Sequence, residues 1–241
     1  MRMLTFAKRC AREILRDPVS LGFGLGFPLV LLVLLSAIQK NVPAPLFEID
    51  RLTPGITVFG LSFMTLFSAT LVARDRESAL LQRLYTTPLT GADFILGYML
   101  PLLPMALAQA AACYLFALPL GLSAGPGILY GILGILPMAV FNIGLGLLCG
   151  SIFNVKQVGG ICGALLTNLS AWLSGVWFDL ELVGGLFENV AHALPFYHGV
   201  ELAKGLFQGV FSAGHGLFVT GCSILTLGAA VLCFLRQMKN Q

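Results

Sequence analysis

Runs of uncharged, mostly apolar residues alternate with short charged stretches along this chain. Positions 18–39, 52–73, 94–155, 157–178 and 205–235 contain no Asp, Glu, Lys or Arg. A helix needs about 20 apolar residues, each rising about 1.5 Å, to cross a hydrocarbon layer about 30 Å thick. The first, second and fourth windows each predict one such helix. The third is long enough for two, with Pro119, Gly121, Gly125, Pro126 and Gly127 marking the turn between them. The last predicts one more. The pattern therefore predicts six spans, at about 18–39, 52–73, 93–118, 127–150, 157–178 and 213–235.

The segments between the spans carry their own periodicity. In residues 1–17, Leu4, Ala7, Ala11 and Ile14 share one helical face, while Lys8, Arg12 and Arg16 share another. This predicts an amphipathic helix lying along the membrane surface. Residues 74–88 have helix-forming composition, with Pro88 as a stop. Leu80, Leu81 and Leu84 form an apolar face flanked by Arg76, Glu77 and Arg83. Such a face must rest on something, either lipid headgroups or a groove in another protein. Residues 179–208 are too polar to span, with Asp179, Glu181, Glu188, Glu201 and Lys204. Their Leu186, Phe187, Val190, Leu194, Phe196 and Tyr197 predict short helices dipping back into the outer leaflet.

Composition narrows the class. The chain is 57% hydrophobic and 10% charged, against about a quarter charged in an ordinary soluble domain. Disorder is excluded by the same arithmetic, and a net charge of +3 gives no basis for binding nucleic acid. The expectation is an all-α integral membrane protein, residues 1–241 forming a single transmembrane domain. Six spans put Arg2, Lys8, Arg9, Arg12, Arg16, Arg74, Arg76, Arg83, Lys156, Arg236 and Lys239 on one side, and only Lys40, Arg51 and Lys204 on the other. The positive-inside rule then places both termini in the cytoplasm. The basic head resembles that of a secretory signal, but Glu13, Asp17 and five further spans favour a retained first helix.

Candidate chemistry is sparse. The six cysteines form no C-x-x-C pair and read as small apolar fillers, not as a metal or disulfide framework. His192, His198 and Glu201 offer too few ligands for a metal site, and an intramembrane enzyme built on them is the weakest reading. No charged side chain lies deep in a predicted span, which argues against an ion-coupled carrier or channel, the alternative function. The chain has no G-x-x-x-x-G-K-[ST] loop. If the chain drives transport, the energy must come from another polypeptide through a cytoplasmic surface.

The stretch R-D-R-E-S-A-L-L-Q-R-L-Y-T-T-P-L-T, followed by G-A-D-F-I-L-G-Y, resembles the signature loop of ABC type-2 exporter membrane domains. These are permease subunits of bacterial drug, lipid and polysaccharide exporters, related in fold to the human G-subfamily transporters. Glu77, Leu80, Leu84, Thr87, Pro88 and Leu89 carry the resemblance, while Gln82 stands where the family usually has Glu. A Pro-led segment, Leu194 to Lys204, resembles the family's stretch before its last span.

The resemblance implies that residues 74–88 are a coupling helix seated in a cytoplasmic ATPase subunit. Its contact residues would be Arg76, Glu77, Leu80, Leu81, Arg83, Leu84, Thr87 and Pro88. Residues 1–17 would be the connecting helix beside it. The working unit would be two permease chains, identical or homologous, and two ATPase chains in the bacterial cytoplasmic membrane. The chain itself would bind no cofactor; ATP and Mg would sit on the partner. The resemblance also places the dimer seam and substrate path on the second and fifth spans. Phe59, Phe63 and Phe67 share a face of the former, and the latter offers Thr167, Asn168, Ser170 and Ser174. An uncharged path favours a lipid-like or amphipathic drug-like cargo. Gly159-x-x-x-Gly163, Gly22/Gly26 and Gly146/Gly150 have the spacing that permits close helix approach.

Overall fold

The computed structural model describes residues 2–42, 47–78 and 90–239, and these are helical with no strand among them. Helix α1 is Arg2–Leu15. Helix α2 runs through Pro18–Leu21, a π-helical Gly22–Gly26 and Phe27–Gln39. Helix α3 is Ile49–Gly60 continued, after a jog at Leu61, by Ser62–Glu77. Helix α4 is Gly91–Ala117, and α5 is Gly127–Gly134 followed by Leu136–Ile152. Helix α6 comprises Val155–Val158, a π-helical Gly159–Leu166 and Thr167–Trp172. Short helices α7 (Gly185–His192) and α8 (Pro195–Phe207) precede α9 (Ala213–Lys239).

Among the described residues, five helices are long and apolar enough to cross a membrane: α2, α3, α4, α5 and α9. The predicted span 157–178 differs. Its helix ends at Trp172, and the chain turns away through Gly175, at φ 69°. Residues 155–172 reach about 27 Å at 1.5 Å per residue, with Lys156, Gln157, Thr167 and Asn168 among them. The predicted breaker cluster forms the α4–α5 turn, where Gly121 adopts φ 107°.

Helix α3 is the central element and is buried along most of its length. Its contact with α5 is a dovetail. A Cβ at Gly146 would meet Thr65 O at 2.3 Å, and one at Gly150 would meet Ala69 O at 2.5 Å. Only glycine allows backbones this close. Hydroxyls bridge the seam: Thr65 Oγ1 donates to Asn142, and Ser68 Oγ donates to Ile143 O at 3.1 Å.

Helix α1 packs across α4, but on a face rotated from the predicted one. Phe6, Ala7, Cys10 and Ile14 are buried, while Leu4 is 56% exposed. The reason is a slot at Gly97, whose absent Cβ is replaced by the Phe6 ring. That ring stacks edge-on against Phe94 and Tyr98, and Phe94 reaches Phe234 of α9.

Candidate functional site: a polar hub, an aromatic cavity and an outer histidine pair

The last turn of α3 ties most of the other helices together through four consecutive residues. Arg74 lies 3.7 Å from Asp17, at the joint of α1 and α2. Asp75, its side chain 2% exposed, receives a bidentate pair from Arg9 of α1, both bonds at 2.5 Å. Tyr98 of α4 donates to the same carboxylate at 2.7 Å. One hydroxyl donor and a fork-shaped cation satisfy a carboxylate that water barely reaches. The hydrogen bond to Asp75 raises the pKa of Arg9 further, so this cation is permanent. Glu13 pairs with Arg9 on its other side at 2.8 Å. Beside them, burial pushes the Cys10 thiol up to about 12.

Arg76 and Glu77 hold the turn between α5 and α6. The Arg76 guanidinium donates to Ser151 O and Ile152 O, and to Phe153 O at 2.6 Å, capping the carbonyls at the end of α5. Glu77 Oε1 accepts from Val155 N, the first amide of α6, at 2.9 Å. A capping box between Asn154 and Gln157 completes that helix start. The resemblance implies that Arg76 and Glu77 face an ATPase subunit; the structure gives both of them partners inside the chain. Leu80, Leu81, Arg83, Leu84, Thr87 and Pro88 lie outside the described residues.

Farther along α3, a cavity of about 470 Å³ opens between α2, α3 and α6. Phe23 and Phe27 line it from α2, Phe59, Phe63, Leu66 and Phe67 from α3, and Gly163, Thr167, Asn168 and Ala171 from α6. The rings are mutually edge-on: Phe27–Phe63 at 5.7 Å and Phe59–Phe63 at 6.3 Å between centroids. Such packing fixes them as a wall. Polar character comes from Ser20, Thr167 and Asn168. The Thr167 hydroxyl donates to Cys162 O and the Asn168 amide to Ala164 O, so both are oriented by their own helix.

Five of the seven expected path residues therefore meet at one cavity, and two do not. Ser170, on the opposite side of α6, and Ser174, in the turn after it, are buried around a void of about 10 Å³ shared with Ser62 and Asn142. At about 100° per residue, Ser170 lies some 200° round the helix from Asn168.

At the other end of the molecule, His198 of α8 and His215 of α9 approach Nδ1 to Nδ1 at 2.7 Å. His198 Nε2 lies 2.9 Å from His192 O. A carbonyl only accepts, so His198 carries its proton on Nε2; in the neutral pair its Nδ1 accepts from His215 Nδ1–H. Glu201 accepts from Lys204 at 2.9 Å. His192, His215, Glu201 and Lys204, with Arg51, Asp179, Glu181 and Tyr197, line a polar pocket of about 570 Å³. Sequence reasoning missed His215. Its only signal was being the third histidine of three, at the head of an apolar run.

Comparison with known proteins gives concordant matches. Residues 1–207 match the profile of the family described as ABC-2 type transporter. Nodulation protein J of Sinorhizobium fredii (strain NBRC 101917 / NGR234) is 25% identical over 193 residues, covering 79% of this chain and 71% of that protein. The probable multidrug ABC transporter permease YbhR of Escherichia coli K12 is 25% identical over 172 residues. That match covers 70% of this chain and 45% of YbhR, so the chain spans under half of that relative's length.

Proposed function

We propose, because this chain belongs to the ABC-2 type transporter family, that it is the permease subunit of an ATP-driven exporter. It sits in a bacterial cytoplasmic membrane with both termini inside. A second permease chain and two cytoplasmic ATPase subunits complete the unit, and ATP and Mg bind on the ATPases. The family match over 1–207 carries this reading. The cargo is lipid-like or amphipathic and passes by the aromatic cavity, whose wall is apolar and whose few polar groups are uncharged. A flexible acyl or aromatic body suits such a wall, and Thr167 and Asn168 supply orientation.

In this reading the leucine face at Leu80, Leu81 and Leu84 receives the ATPase, with Arg83, Thr87 and Pro88 at its rim. Closure of two ATP-loaded subunits displaces that segment and, through the hub on α3, the spans. The test is co-expression of the chain with an ABC ATPase subunit from the same source, followed by purification and assay in inverted vesicles. The expected result is a stoichiometric complex that takes up Hoechst 33342 or a fluorescent phosphatidylethanolamine only with hydrolysable ATP. Leu84→Asp should abolish co-purification while leaving membrane insertion intact. Uptake that follows an imposed ion gradient and ignores ATP would support the carrier alternative and overturn this function.

A further inference from the structure

Helices α3 and α5 behave as one body, since their backbones interlock at Gly146 and Gly150 with no room for sliding. Helix α6 is built otherwise. Its first turn is fastened to that body by Glu77, which accepts from Val155 N, while Arg76 holds the end of α5 and the linker carbonyl of Phe153 just before it. Only Phe153 and Asn154 separate α5 from α6. Immediately beyond lies the π-helical Gly159–Leu166. A Cβ at Gly159 or Gly160 would meet nothing within 4 Å, and one at Gly163 would make only ordinary contact with Leu66. Thr167 and Asn168, on the cavity wall, follow directly.

We propose that Arg76 and Glu77 are positioning residues that deliver movement of α3 to the start of α6, which bends at Gly159–Leu166 and repositions Thr167 and Asn168 against the aromatic cavity. This rests on the exporter reading and deepens it. The physical reason is the contrast in stiffness along α6. A displacement imposed on a clamped first turn is absorbed where the helix ladder is widened and side-chain support is least. Here that is the glycine-rich segment. A salt link at the protein surface would transmit little, but Arg76 grips a helix end through three carbonyls and Glu77 grips the next helix start.

The test measures the distance between nitroxides at Lys156→Cys and Trp172→Cys, which flank the π segment, in a chain with its native cysteines replaced by alanine. The sample is the complex with its ATPase, nucleotide-free or trapped with ATP and vanadate. The complex bearing native Arg76 and Glu77 should show a change of about 2 Å or more between the two states. Glu77→Ala and Arg76→Ala should still bring down the ATPase yet lose that change. Glu77→Gln, which keeps an acceptor oxygen for Val155 N, should retain it. An unchanged distance with native Arg76 and Glu77, or the same change in both alanine variants, overturns the proposal. So does loss of ATPase binding in Glu77→Ala, which would make Glu77 a docking residue. If Arg76→Ala fails to fold, the Glu77→Ala and Glu77→Gln pair decides alone. Failure of the unmutated chain to bind an ABC ATPase overturns the exporter reading itself, so the two failures are distinguishable.

Discussion

Two glycine pairs with the same spacing serve opposite ends in this protein. Gly146 and Gly150 on α5 press against the backbone of α3, whereas Gly159 and Gly163 on α6 border open space or ordinary contact. The first pair makes a joint that cannot slide. The second leaves a helix able to bend, and its hydrogen-bond ladder is already widened there. A small-residue motif states that a backbone is uncovered; it does not state what comes to cover it. The pair Gly22 and Gly26 repeats the lesson: both face open space within the chain, while Gly24 between them is filled by the ring of Phe67.

The sharpest way to break this comparison is to add one methyl group to each side. Gly146→Ala places a Cβ 1.9 Å from Ser68 Oγ and 2.3 Å from Thr65 O, so it should cost about 3 kcal/mol or more. Thermal unfolding in detergent, or loss of folded yield, reads this. Gly160→Ala meets nothing and should raise stability by up to about 1 kcal/mol through helix propensity. Equal effects at the two sites would erase the distinction between joint and hinge.

The hub should respond less strongly. Asp75→Asn removes the buried partner of Arg9, whose side chain is 38% exposed and can regain water. We expect a loss of about 2 kcal/mol, below the cost of stranding a fully buried charge. Cys10 reports it: buried and pushed up to about 12, this thiol should resist maleimide at pH 8 in the native chain. Loosening α1 by Asp75→Asn should both expose it and return its thiolate fraction, so labelling should accelerate. No acceleration would mean that Phe6 in its Gly97 slot, not the ion pair, seats α1.

The outer end depends on a single shared proton. The bond between His198 and His215 needs one imidazole to accept, and a second proton turns both nitrogens into donors. The tie between α8 and α9 therefore needs the neutral pair and is lost when acid adds the second proton. The expected weakening is about 1 kcal/mol, read as faster amide exchange in α8 at low pH. His215→Phe should weaken α8 at neutral pH and remove that contribution to the pH dependence. Glu201, Lys204, Arg51, Asp179 and Glu181 border the same pocket, so an unaltered pH response in His215→Phe would shift the effect to them. The smallest effect is expected at Ser174→Ala, whose hydroxyl lines the minor void and donates to Ala171 O in the last turn of α6. It should leave cargo movement unaltered, whereas Thr167→Ala and Asn168→Ala should change it.

The chain's hydrophobic pattern by itself determined where five of the six predicted apolar helices lie, where the α4–α5 turn falls and that Arg2–Leu15 form an amphipathic helix. Those are local properties: the free energy of moving a stretch into an apolar phase sums over its own residues, and so does its periodicity. The motif R-D-R-E was also legible as important. Tertiary structure alone decided that Asp75 is buried and that Arg76 and Glu77 bond to the α5–α6 turn, that α1 turns on the Phe6 slot, and that Ser170 and Ser174 leave the cavity. It also brought His215 to His198 and made one glycine pair a joint and the other a bend. Each of these depends on the rotation of one helix against another, which is set by the shape of the opposing surface and by nothing within the helix's own residues.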